Sequence, residues 1–74
     1  MGEMRILDGS GDTKVVFDPE NEDEVEAAEA QFDSLIEKGF TAYSVKKDGS
    51  QGKIMKKFNP KAGKIIMIPQ LEGG

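Results

Sequence analysis

Apolar positions along this chain fall into short groups whose spacing changes along its length. Met4-Arg5-Ile6-Leu7 and Lys14-Val15-Val16-Phe17 bracket Asp8-Gly9-Ser10-Gly11-Asp12. Gly and Asp tolerate the positive φ of tight turns, so the two groups read as the strands of a hairpin. Asp18-Pro19 ends the second strand, because proline has no N–H to give a ladder.

The next group has a helical period. Val25, Ala28, Phe32, Leu35 and Ile36 make one apolar stripe, and Glu26, Glu29, Asp33 and Glu37 fall on the opposite, wetted face. Asn21 followed by Glu24 predicts a capping box, and Glu20, Glu22 and Asp23 put negative charge where the helix dipole favours it. Lys38 suits the C-terminus and Gly39 the left-handed stop, so the helix is expected over roughly 21–38.

Beyond it, Thr41-Ala42-Tyr43-Ser44-Val45 alternates as a strand does, and Lys47–Gly52 is a turn centred on Asp48-Gly49. Ile54 to Phe58 is expected as an edge strand, because edges are commonly guarded by lysines such as Lys56 and Lys57. Asn59-Pro60-Lys61-Ala62-Gly63 is a second turn. Ile65-Ile66-Met67-Ile68 is apolar without alternation, as in a central strand with both faces at least partly covered.

The order ββαβββ predicts an α+β two-layer sandwich, one helix on a four- or five-stranded, mostly antiparallel sheet. Residues 1–70 are expected to form a single domain and 71–74 a flexible tail. The turns at 47–52 and 59–63 are short enough for the last three strands to form a simple antiparallel meander. The expected core is Ile6, Val15, Phe17, Val25, Ala28, Phe32, Leu35, Ile36, Tyr43, Val45, Ile54, Phe58, Ile65 and Met67.

Composition narrows the function more than it identifies it. With 74 residues, little surface is available to bury, so large apolar side chains should share one core. There is no Cys and no His, which removes the thiolate nucleophile, cysteine zinc sites and the commonest general base near neutral pH. The expectation is a protein that is not an enzyme and has no metal or cofactor. No apolar stretch approaches the ~20 residues of a membrane span, and Met1-Gly2-Glu3-Met4 lacks a basic region leading into an apolar one. A cytoplasmic, monomeric protein without membrane contact is therefore expected.

The net charge of −4 is divided unevenly. Residues 1–37 carry twelve acidic and two basic side chains, whereas 38–74 carry eight lysines against Asp48 and Glu72. Such polarity can steer a partner, with Lys46, Lys47, Lys53, Lys56 and Lys57 as candidate contacts; the plain alternative is a set of solvated faces. The same lysines could touch phosphates, but the acidic half would repel a polyanion, which makes nucleic-acid binding the third choice.

Two other patterns fail on inspection. Asp8-x-Ser10-x-Asp12 begins like a calcium loop, yet Thr13 stands where glycine is needed and Pro19 where a bidentate glutamate belongs. Lys38-Gly39-Phe40-Thr41-Ala42-Tyr43 weakly follows the first RNA-recognition signature, whose fold needs a second helix.

The most specific chemistry lies in Leu71-Glu72-Gly73-Gly74. A Gly-Gly tail lacks Cβ atoms, so it can thread a narrow channel and present its carboxylate to another enzyme; an ordinary fraying terminus is the alternative reading. Ile68-Pro69-Gln70-Leu71-Glu72-Gly73-Gly74 resembles the apolar–Pro–Pro–apolar–x–Gly–Gly tails of molybdopterin-synthase small subunits and small archaeal modifiers, with Gln70 at the second proline. With the hairpin, single helix and closing apolar strand, the chain resembles the β-grasp ubiquitin-like proteins. The resemblance implies a last strand lying beside the first and parallel to it. It implies that Gly74 is adenylated by an E1-like enzyme, that Gly73 lets the tail enter that enzyme, and that acceptor proteins or sulfur-pathway enzymes are further partners. A modifier or sulfur carrier is thus the leading expectation, and a non-catalytic interaction module with a polarised surface is the alternative.

Overall fold

A computed structural model describes residues 1–9, 11–46 and 48–69. The strands are β1 (Gly2–Asp8), β2 (Gly11–Phe17), β3 (Phe40–Val45), β4 (Gln51–Met55) and β5 (Lys64–Pro69). The helix α1 (Glu22–Glu37) follows β2, and one 3₁₀ turn (Pro60–Ala62) precedes β5. This is the expected ββαβββ order, with one helix against a five-stranded mixed sheet.

The sheet order is β2-β1-β5-β3-β4. β5 runs parallel to β1, pairing Met4 with Ile65 and Ile6 with Met67, and antiparallel to β3, pairing Ala42 with Met67 and Tyr43 with Ile66. The simple meander that the short turns would have allowed is therefore not formed. Residues 56–63 are not a tight hairpin turn: they carry Phe58 inward and let the chain pass over β3 to enter the sheet between β1 and β3. The Phe58 ring stands 5.4 Å from Phe17 and 5.6 Å from Phe32. Tilted and edge-on ring pairs of this kind add about 0.5–1.5 kcal/mol each beyond their area. That contact also explains why the fourth strand covers 51–55 rather than 54–58.

The helix forms as its sequence predicts. Asn21 Oδ1 accepts from the N–H groups of Asp23 (3.0 Å) and Glu24 (3.2 Å). Glu24 reaches back beyond the cap, accepting from the Asp18 N–H at 2.9 Å and from Asn21 Nδ2 at 3.1 Å. Lys38 closes the helix and Gly39 follows at φ 96°, the left-handed region that glycine enters at least cost.

Met4, Ile6, Phe17, Ala28, Phe32, Leu35, Ala42, Ile65 and Met67 are buried between helix and sheet. Val15, Ile36, Phe40, Met55, Phe58 and Ala62 pack around them. Three expected core residues lie elsewhere. Ala42 faces the helix, so the alternation of β3 turns Tyr43 and Val45 to the other side of the sheet. Ile54 pairs with Tyr43 and is 60 % exposed. Val25 is only half-buried. Ala42, paired with Met67 on one side and Met55 on the other, is the fully buried residue at the centre of β3 and belongs to the same cluster as Phe32.

Candidate functional site

The helix covers one face of the sheet and leaves the other open, and that open face carries the unusual chemistry. β1 contributes Glu3, Arg5 and Leu7; β5 contributes Lys64, Ile66 and Ile68; β3 contributes Thr41, Tyr43 and Val45. The pairings Glu3–Lys64 and Arg5–Ile66 set these in rows across the sheet, as do Ile66–Tyr43 and Tyr43–Ile54. Tyr43, Val45, Ile66 and Ile68 line a shallow depression with Gly49. Leu7 and Ile68 are each more than one-third exposed beside it.

The β1–β2 side of the same face is charged. Glu3 accepts from Arg5 Nε at 3.2 Å and lies 3.7 Å from Lys14 Nζ and 3.9 Å from Lys64 Nζ, while Arg5 reaches Asp12 at 3.0 Å. These pairs are solvent-accessible, so each contributes about 0–1 kcal/mol and mainly fixes side-chain positions. Three of the chain's basic residues are thereby committed to internal partners.

The candidate contact lysines are not. Lys46 leaves the end of β3, Lys53 lies on β4, and Lys56 and Lys57 follow its end; all four are exposed. None forms an ion pair among the described residues. They are strung along one edge of the sheet rather than gathered on a face. Lys47 lies outside the described residues, as do Gly73 and Gly74. β5, which lies between β1 and β3 in the sheet, ends at Pro69, paired with Phe40. The exposed Ile68, and Leu7 near the end of β1, lie toward the same end of the sheet.

The turn between β3 and β4 is held by Asp48. Its Oδ1 accepts from the Ser50 hydroxyl at 2.6 Å and the Ser50 N–H at 2.9 Å. Those hydrogen bonds favour the charged carboxylate and hold its pKa below the ordinary aspartate value. The wide, kinked approach of β4 to β3 has its own cause in a register shift between Tyr43 and Val45. Ser44 Oγ fills it, accepting from the Lys53 N–H at 3.1 Å and donating to the Lys53 carbonyl at 3.4 Å.

Among the described residues, no three His, Cys, Asp or Glu side chains converge to hold a metal ion. No described helix is long and apolar enough to cross a membrane. The open apolar depression was hidden from sequence reasoning because Tyr43 and Val45, which line it, are residue types expected in a core. Only the phase of β3, set by the pairing of Ala42 with Met67, exposes them. Compared with known proteins, the chain matches no protein family, no curated protein and no solved structure.

Proposed function

We propose that the protein is a ubiquitin-like modifier or sulfur carrier, activated at Gly74 by an E1-like adenylating enzyme. The parallel β1–β5 pair at the centre of the sheet carries this reading. A β-grasp sheet calls for the last strand beside the first and parallel to it, with a single helix on one face. Supporting it, the strand that precedes Leu71-Glu72-Gly73-Gly74 ends in the middle of the sheet rather than at an edge.

The chemistry needs nothing catalytic from this chain. The Gly74 carboxylate attacks the α-phosphate of ATP, pyrophosphate leaves, and an acyl-adenylate forms. A sulfur or amine nucleophile then takes the acyl group, and AMP leaves. The E1-like enzyme supplies catalysis and metal; this chain supplies a narrow tail and a surface to grip. The exposed Leu7 and Ile68, with the half-buried Tyr43 and Ile66 beside them, suit that grip, since apolar side chains grouped on an open face favour a partner that excludes water.

The reading requires a free carboxylate on Gly74 in the cell. Intact-mass analysis of protein recovered from its native host, with a cognate E1-like enzyme active, should find an ATP-dependent species carrying sulfur or an acceptor. Replacing Gly73-Gly74 by Ala-Ala should abolish it and leave the circular dichroism spectrum unchanged. Finding only unmodified protein under those conditions would overturn the proposal. The second reading, a non-catalytic interaction module, is favoured by the unpaired lysines along β4. Nucleic-acid binding is opposed by the twelve acidic side chains of residues 1–37.

A further inference from the structure

The five-stranded sheet has two edges, and they differ in chemistry. At the β2 edge, Lys14 and Asp12 are each engaged in an ion pair with a residue of β1. At the β4 edge, Lys46, Lys53, Lys56 and Lys57 have no counter-charge among the described residues. β4 is bonded only to β3 and spans about 16 Å at the usual rise of a strand.

Backbone groups of successive strand residues point to opposite edges. Those of Lys53 are turned toward β3, where Ser44 Oγ satisfies both its N–H and its carbonyl. On the regular side of the register shift, the N–H and carbonyl of Ile54 therefore face outward, toward an absent neighbour. An edge of this kind is a template for another strand unless something guards it. Here the guard is selective. Unpaired lysines repel a second β4 and any basic strand, and they attract an acidic one.

The side chains specify the visitor further. Ile54, 60 % exposed, lies on the open face beside Tyr43, while Lys53 alternates to the helix side. A strand laid against β4 would thus meet an apolar side chain on one face and cationic side chains on the other and at both ends.

We propose that β4 is a strand-addition site for an extended acidic peptide, in which carboxylates alternate with small apolar side chains. Main-chain hydrogen bonds to Ile54 give the pairing, its side chain seats an apolar residue, and Lys46, Lys53, Lys56 and Lys57 select the acidic sequence. This goes beyond activation at Gly74 and does not depend on it, since none of these residues belongs to the tail.

The test uses the full chain and a fluorescently labelled hexapeptide alternating glutamate and valine, read by anisotropy at low salt. Binding should weaken by about tenfold or more when Lys53 and Lys56 are both reversed to Glu, and similarly when ionic strength is raised from about 0.05 to about 0.5 M. Circular dichroism should show both proteins equally folded. Hydrogen exchange should slow at the Ile54 amide in the complex. A peptide N-methylated on the residues that bond β4 should bind at least about tenfold more weakly, because strand pairing needs those donors. Equal binding of the methylated peptide would reduce the contact to bare charge attraction and overturn the proposal. So would tighter binding of an oligothymidine of matching charge, which would make the edge a nucleic-acid contact. Self-association through β4, detected by sedimentation at the same ionic strength and abolished by Lys53→Glu, would do so too.

Discussion

Ser44, Gly52 and Lys53 show how much local geometry can depend on one missing Cβ. A Cβ on Gly52 would lie 2.5 Å from Ser44 Oγ and 2.8 Å from the Ser44 carbonyl oxygen. The hydroxyl is tied to Lys53 and the carbonyl is backbone, so neither can swing aside without moving β3. Gly52→Ala should therefore cost about 1–3 kcal/mol by forced displacement of the strand. Urea denaturation checks this, and an unchanged midpoint would show that the two strands can part without loss. Gly2 faces a related constraint, since an added Cβ would collide with the buried Phe17 ring opposite it. Neither requirement is visible in the sequence. Gly52 lies within the expected turn, and Gly2 before the expected start of the first strand; only the pairing of Gly2 with Phe17 reveals why it is small.

Elements differ in how far their residues announce them. The helix was fully legible, because its stripe, cap and stop are local features spaced within one segment. Its cap can be isolated: Asn21→Ala removes the acceptor for two N–H groups and should cost about 1 kcal/mol, whereas Asn21→Asp should nearly preserve stability. Thermal melting of the two variants checks the difference, and equal losses would mean that Glu24 alone secures the first turn. Strands β3 and β4 were legible in existence but not in phase. Phe40, Ala42 and Ser44 alternate with Thr41, Tyr43 and Val45, and neither set is plainly the more apolar. Burial is decided across the ladder by Met67 and the helix, so the sequence favoured the bulkier set and the structure uses Ala42. The consequence for function is direct, because the misphased Tyr43 and Val45 line the open apolar depression together with Ile66 and Ile68.

At the scale of the whole molecule, everything meets at β5. The β1–β2 hairpin and the β3–β4 pair share no ladder with each other; β5 joins them, parallel to one and antiparallel to the other. Sheet order of this kind is a long-range choice that short turns do not reveal, which is why turn length alone left a meander open. A strand with two ladder partners, and Met67 completely buried between them, should dominate stability. At roughly 0.05–0.15 kcal/mol per residue the fold holds only about 4–11 kcal/mol in all. Met67→Ala should cost about 2–5 kcal/mol through lost burial and the cavity left behind, enough to leave the domain marginal or unfolded at 37 °C. The neighbouring Ile68, 39 % exposed on the open face, has less to lose. Ile68→Ala should cost less than about 1 kcal/mol, being largely a surface change. Denaturation of the pair side by side is decisive, because these adjacent residues of one strand, both large and apolar, present opposite faces. Similar losses would mean that the open face is covered in the folded protein, and the surface proposed to meet an activating enzyme would then not be free.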